Sequence, residues 1–313
     1  MGGVVTDHTS NHTPNHTCDH AWKRPSPLSD RERRIDLAAS APAREAWRAA
    51  ERRLQAADPV RLKEIKGRLI RRMIVEIGLL ENLYELDRQT TEGLVAEGFV
   101  VTHVLPSSTN LEPSLLIAML RNQEAAIADV IDDAEQQRPL AKAAVRQIHA
   151  TAMRHQDSIA VADASGRKQA VPLLKGEFKK AANNLKLSDG GLHEFCPPQD
   201  VEREIDALLR RLRDYRNDDP VLAAAWLHYH LYQLHPFQTG NGRVVRAATA
   251  YVMLQAGLLP LVVERENRTE YKDGMAAAGR GDLAPLVGLF ARAERAAIAR
   301  ALEQAKSPVE ASQ

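Results

Sequence analysis

His235-Pro236-Phe237-Gln238-Thr239-Gly240-Asn241-Gly242-Arg243-Val244-Val245-Arg246 is the stretch from which the rest of the chain is read. It follows an apolar run over residues 221–234 and precedes another over 244–259, so it reads as helix, short loop, helix. With the second helix starting near Asn241, free backbone N–H groups and the positive dipole end face the loop, which makes an anion site. Gly240 and Gly242 let the backbone approach a bulky anion or take up positive φ. Arg243 and Arg246 share one helix face at i and i+3 and can grip a phosphate chain at two points. His235, at the far end of the loop, can take a proton near neutral pH. A base beside a polyphosphate cradle points to transfer of a phosphate-containing group to a hydroxyl.

This arrangement resembles the Fic family, whose signature is HPF-x-[D/E]-G-N-G-R-x-x-R. Eight of its nine defined positions are matched, by His235, Pro236, Phe237, Gly240, Asn241, Gly242, Arg243 and Arg246. The departure is Thr239, where most members carry an acid. The resemblance extends over roughly residues 60–300, specific at 235–246 and looser elsewhere. It implies a mainly α protein, a Fic-type helical bundle with a small β-hairpin flap next to the active-site loop.

The resemblance also implies an activity. ATP would give its AMP group to a Tyr, Thr or Ser hydroxyl of a protein, with the chain itself among the eligible targets. His235 would act as base. Asn241 and the amides of Gly240 and Gly242 would stabilise charge on the α-phosphate. Arg243 would hold the β-phosphate and Arg246 the γ-phosphate. Phe237 is expected to anchor the loop in the core. The resemblance implies Mg²⁺ beside ATP; the family's acid at the Thr239 slot binds it, a hard cation that prefers carboxylate oxygen, and Thr239 would be a weaker metal ligand. Three readings therefore stay open: weaker metal use, a different nucleotide or phosphate donor, or nucleotide binding with little turnover.

Many relatives control the site through [S/T]-x-x-x-E-[G/N] on a separate helix. Ile77-Gly78-Leu79-Leu80-Glu81-Asn82 fits at Glu81 and Asn82 and departs at Ile77. By resemblance Glu81 is the inhibitory residue. A carboxylate aimed at Arg246 would neutralise the charge that the γ-phosphate needs.

The 313 residues can bury one large core or two smaller ones. With 42 Lys and Arg against 41 Asp and Glu, net charge argues for no particular partner, neither membrane nor nucleic acid. The Arg-rich runs 31–34 and 210–216 are interleaved with or flanked by acids and read as solvated helix faces. Cys18 and Cys196 cannot form a disulfide framework, no stretch has the length of a membrane span, and a cytoplasmic setting is expected. A homo-oligomer is compatible with all of this.

Four divisions follow along the chain. Residues 1–28 read as a disordered His-rich tail, in which His8, His12, His16 and His20 recur every four residues on poor helix material, and no metal is expected there. Residues 29–150 form an N-terminal helical region that includes the inhibitory helix. A continuous helix is expected to follow the Ser29-Asp30 cap to residue 57. A second starts at Asp58-Pro59 and carries a buried stripe from Leu62 to Tyr84. Helices are expected at 113–136 and 139–154, the latter carrying His149, with His155 just beyond; both histidines read as packing or solvated groups. Residues 151–306 form the Fic core. There 158–162 and 170–175 read as hairpin strands, and 174–196 is the flap candidate, which by resemblance docks a target's backbone as an added strand. Residues 307–313 read as a frayed end.

Overall fold

The computed structural model describes residues 21–162, 167–186 and 190–306. The helices are α1 (Asp30–Arg33), α2 (Ala41–Ala57), α3 (Pro59–Leu80), α4 (Arg88–Glu97), α5 (Pro113–Glu135), α6 (Lys142–Ala152), α7 (Val201–Asp214), α8 (Pro220–Leu234), α9 (Asn241–Gln255), α10 (Arg268–Gly279) and α11 (Ala284–Lys306). Two antiparallel pairs complete the described elements: β1 (Ser158–Ala162) with β2 (Lys168–Pro172), and β3 (Leu185–Lys186) with β4 (Leu192–His193). The mainly α architecture matches the sequence reading.

α8 is the central helix. Its sequence is apolar almost all round, as a helix enclosed by neighbours must be, and Ala223, Ala224, Ala225, Trp226, Leu227 and Leu231 are all buried. Asp219 caps it by accepting from the Val221 amide, and Pro220 occupies the first turn, where no N–H is needed. α8 packs on α9, α7 and α11, and α9 packs in turn on α5, α6 and α3. One hydrophobic cluster draws on residues from Leu28 to Ala291, so residue 150 is not a break in the core. A second cluster joins Trp47 and Leu54 of α2, Ile65 and Leu69 of α3, and Ile298 and Ala301 of α11.

Several expectations need correction. The helix after Ser29 is not continuous to residue 57. Ser29 and Glu32 do form a capping box, but α1 ends at Arg33, where the Asp36 carboxylate captures the Ala38 amide and Pro42 then opens α2. Residues 21–28 are not part of a disordered tail. Within residues 21–28, Leu28 and Pro25 are buried, the Leu28 amide donates to the Tyr215 hydroxyl (3.0 Å), and Trp226 Nε1 donates to the Ser26 carbonyl (2.8 Å). Residues 1–20, with the histidine repeat, and 307–313 lie outside the described residues. The α3 stripe ends at Leu80. Asn82 turns the chain at φ 53°, and Tyr84 folds back so that its hydroxyl donates to the Val75 carbonyl (2.9 Å). It fits there because Gly78 has no side chain: a Cβ would stand 2.3 Å from the ring. The first hairpin's second strand is Lys168–Pro172 rather than 170–175, since Ser158 pairs with Pro172 and the Leu173 amide closes the ladder on the Asp157 carbonyl.

Candidate active site

α8 ends because His235 adopts the left-handed conformation (φ 44°, ψ 56°), a geometry tolerated by few residue types other than glycine. The chain then crosses to α9, whose N-cap Gly240 is also left-handed (φ 73°, ψ 9°). A Cβ on Gly240 would meet Met153 Sδ at 2.7 Å, so glycine is required by both conformation and space. As a glycine, the N-cap has no side chain with which to cap the first amides of α9.

Asn241 holds the loop shut. Its Oδ1 accepts from the Phe237 amide and its Nδ2 donates to the Phe237 carbonyl, both at 2.8 Å, and the side chain is buried. The amide is turned into the loop, where it pairs two backbone groups that would otherwise be buried unsatisfied, and one Nδ2 proton is left over from these two bonds. Phe237 is fully buried, as expected of a loop anchor. Its ring stacks on His149 at 3.9 Å with a 1° interplanar angle.

His149 does more than pack. Nδ1 accepts from the Gly176 amide (2.9 Å), so Nε2 carries the proton and donates to the Thr239 carbonyl (3.1 Å). Burial, which outweighs that bond, pushes its pKa down to about 4, so the imidazole that orders the loop is neutral. Asn183 donates through Nδ2 to the Phe237 carbonyl (2.8 Å), and Gln238 Oε1 accepts from the Leu174 amide (2.8 Å). The 174–196 segment thus lies against the loop, and it contains the short β3–β4 pair.

His235 lies beneath the end of that segment. Phe195 stacks on its imidazole at 3.9 Å and 15°, and Tyr232 meets it edge-on at 5.8 Å. Burial and, second, the nearby Lys179 cation push the His235 pKa down to about 3. Lys179 is itself buried, donates to Asn183 Oδ1 (2.6 Å), and is lowered to about 8 by desolvation. The imidazole is accordingly neutral at physiological pH, and its buried Nδ1 makes no hydrogen bond to the described residues.

Arg243 and Arg246 both project from the first turns of α9, Arg243 being buried. Arg246 Nη1 pairs with Glu81 Oε1, the carboxylate coming from the C-cap of α3. The same carboxylate lies on the N-terminal turn of α9, and a Cβ at Gly242 would stand 1.8 Å from Oε1. Gly242 is thus the notch into which Glu81 fits, and a negative group already rests where the helix dipole and Arg246 favour one. Glu81, Gly242 and Arg246 meet at the first turns of α9, and His235 and Gly240 stand at the two ends of the loop that leads into that helix.

Thr239 does not build a metal site. The slot offers a neutral hydroxyl, its carbonyl is used by His149, and among the described residues no group of three or more His, Cys, Asp or Glu converges. The donor set is a poor match to Mg²⁺.

Comparison with known proteins agrees with this geometry. Residues 139–253 match the model of the Fic/DOC family. A protein adenylyltransferase Fic from Culex quinquefasciatus is 30% identical over 160 residues, covering 48% of this chain and 30% of the relative. Protein adenylyltransferase fic-1 from Caenorhabditis elegans is 37% identical over 98 residues, 29% of this chain and 19% of the relative. The chain thus spans a third or less of the length of these relatives. In fold it resembles a Fic domain containing signaling protein from Bacteroides thetaiotaomicron, with a TM-score of 0.65 at 18% identity over 87% of this chain and 100% of that one. A Fic family protein from Desulfovibrio desulfuricans has a TM-score of 0.60 at 20% identity over 92% and 79% of the two chains. The span that matches the Fic/DOC family holds the whole loop from His235 to Arg246.

Proposed function

We propose that the protein is an adenylyltransferase that moves AMP from ATP to a hydroxyl side chain of a protein, and that Glu81 holds it in an inhibited state. The observation that carries this reading is the neutral His235 at one end of a loop whose other end opens on the uncapped N-terminus of α9 and Arg246. In the step envisaged, the target's hydroxyl oxygen attacks the α-phosphorus and its proton passes to His235. The α-phosphorus to bridging-oxygen bond breaks, and pyrophosphate leaves with the electron pair. Backbone amides of the first α9 turn stabilise the charge that builds on the α-phosphate, and Arg243 and Arg246 bind the outer phosphates. Any Mg²⁺ would be carried by the nucleotide's own phosphate oxygens, since Thr239 supplies no carboxylate.

Inhibition follows from the same charges. With Glu81 paired to Arg246, a γ-phosphate meets a carboxylate where it needs a cation, and desolvated like charges repel strongly. The expected protein partner docks on the β3–β4 edge as an added strand. A cytoplasmic setting is in keeping with the sparse cysteines, and no helix among the described residues is long and apolar enough to cross a membrane.

A second reading, nucleotide binding with little turnover, is favoured by the missing acid at Thr239. The two separate by label position. With the Glu81→Gly protein and a cell extract as acceptor, label from ATP carrying ³²P at the α-phosphate is expected to become covalently attached to protein, and label at the γ-phosphate is not. Attachment of the γ label instead would contradict nucleotidyl transfer. Binding with neither label retained would favour the second reading.

A further inference from the structure

Behind Arg246 lies a buried polar chain that the proposed chemistry does not use. The Arg246 guanidinium has Glu81 on one side and the face of the Tyr271 ring on the other, with Cζ 5.3 Å from the ring centroid. Tyr271 belongs to α10, and its hydroxyl is 2.9 Å from His228 Nε2 on α8. His228 Nδ1 is 2.8 Å from Thr249 Oγ1 on α9, and Thr249 donates to the Val245 carbonyl at 2.7 Å.

Only one order of protons satisfies this chain. Thr249 has a single hydroxyl proton, which goes to Val245, so Thr249 Oγ1 must accept from His228 Nδ1–H. Nε2 then carries a lone pair and accepts the Tyr271 hydroxyl proton. Burial, with the Arg246 cation second, holds the His228 pKa far below its usual range, in keeping with a neutral ring of fixed tautomer. The imidazole is wedged edge-on between Tyr271 (5.6 Å) and Phe290 (5.1 Å), so it cannot turn over to exchange its nitrogens. Three helices therefore fix the plane of the Tyr271 ring.

The two partners of Arg246 differ in kind. Glu81 sits beyond the last turn of α3, beside Asn82 at φ 53°, whereas Tyr271 is bolted to the core. A cation held on an aromatic face keeps its position when its counter-ion leaves. We propose that Tyr271, fixed by His228, is a positioning residue that keeps Arg246 aimed along α9 when Glu81 is displaced, and so sets preference for a nucleoside triphosphate over a diphosphate. This rests on reading the α9 N-terminus as a polyphosphate cradle with Arg246 at the γ-phosphate.

The test is calorimetric titration of ATP and ADP into full-length Glu81→Gly, and into the same protein carrying Tyr271→Leu, Tyr271→Phe, Arg246→Ala or Tyr271→Leu with Arg246→Ala. Tyr271→Leu is expected to weaken ATP about tenfold and leave ADP within about twofold. Tyr271→Phe, which keeps the ring face but loses its anchor, should fall between Tyr271→Leu and the parent. Adding Tyr271→Leu to Arg246→Ala should cost nothing further, because the tyrosine acts only through the arginine. Equal weakening of ATP and ADP would mark Tyr271 as merely structural and overturn the proposal, as would independent, multiplying effects of the two substitutions. If Glu81→Gly itself binds neither nucleotide, the cradle reading fails first and the proposal with it.

Discussion

The loop at residues 235–240 and the hairpin that faces it meet at the same histidine, yet they are held very differently. In the loop, Asn241 pairs both backbone groups of Phe237, His149 takes the Thr239 carbonyl, and Phe237 is fully buried. In the hairpin, β3 and β4 pair two residues each, and Leu192 is 46% exposed. The loop is built to keep one geometry whether or not a ligand is present. The hairpin keeps backbone edge and apolar surface available, as a segment that receives a variable partner requires. On the proposed reading, chemistry and target recognition fall to parts of unequal local stability.

Removing the loop's inner clamp should produce the largest effect. Asn241→Ala leaves the Phe237 N–H and C=O buried without partners and is expected to cost about 2–4 kcal/mol, read from the urea midpoint, with loss of transfer activity. A cost below about 0.5 kcal/mol would show that the loop does not depend on the clamp. Gly240→Ala comes next, at about 2 kcal/mol, because the residue has φ 73° and an added Cβ would press on Met153 Sδ at 2.7 Å.

Acid should weaken the frame around the loop. His149 is fully buried with its pKa lowered to about 4, and burial also holds the His228 imidazole well below its ordinary value. The unfolded chain, whose histidines titrate near 6.5, binds more protons than the folded one below that pH, so stability is full above it and falls as pH drops towards 4. Each such histidine contributes roughly 1 kcal/mol of loss per pH unit in that window. Urea midpoints at pH 7 and pH 5 check this, and equal midpoints would contradict the buried neutral assignment.

The smallest effect on stability belongs to the hairpin. Leu192→Asp should change the urea midpoint by no more than about 0.5 kcal/mol and leave ATP affinity unchanged, while lowering transfer to a protein acceptor. A large loss of stability would mean that the hairpin is part of the frame.

Much of this was legible in the sequence, for identifiable reasons. Pro220 behind Asp219, Gly240 and the apolar runs on either side of the loop fix the helix–loop–helix by local rules. The motif also carries the pairing of Glu81 with Arg246, although the two are far apart in the chain. What the sequence hid are choices of partner. An asparagine amide can face a ligand or its own loop, and only the fold shows that Asn241 faces inward. His228, Thr249 and Tyr271 converge from α8, α9 and α10, and no spacing rule connects them. The break after α1 leaves no mark in the residue pattern, because Asp36 is acceptable in a helix until its side chain takes the Ala38 amide.

The central claim is that His235 transfers AMP and that Glu81 restrains it. Intact-mass analysis after incubation with ATP and Mg²⁺ tests both at once, using wild type, Glu81→Gly and Glu81→Gly with His235→Ala, the chain itself serving as acceptor. The account predicts a gain of one or more AMP masses on Glu81→Gly and none on the other two. Equal gain on wild type and Glu81→Gly would contradict the restraint, and a gain that survives His235→Ala would contradict the assigned base.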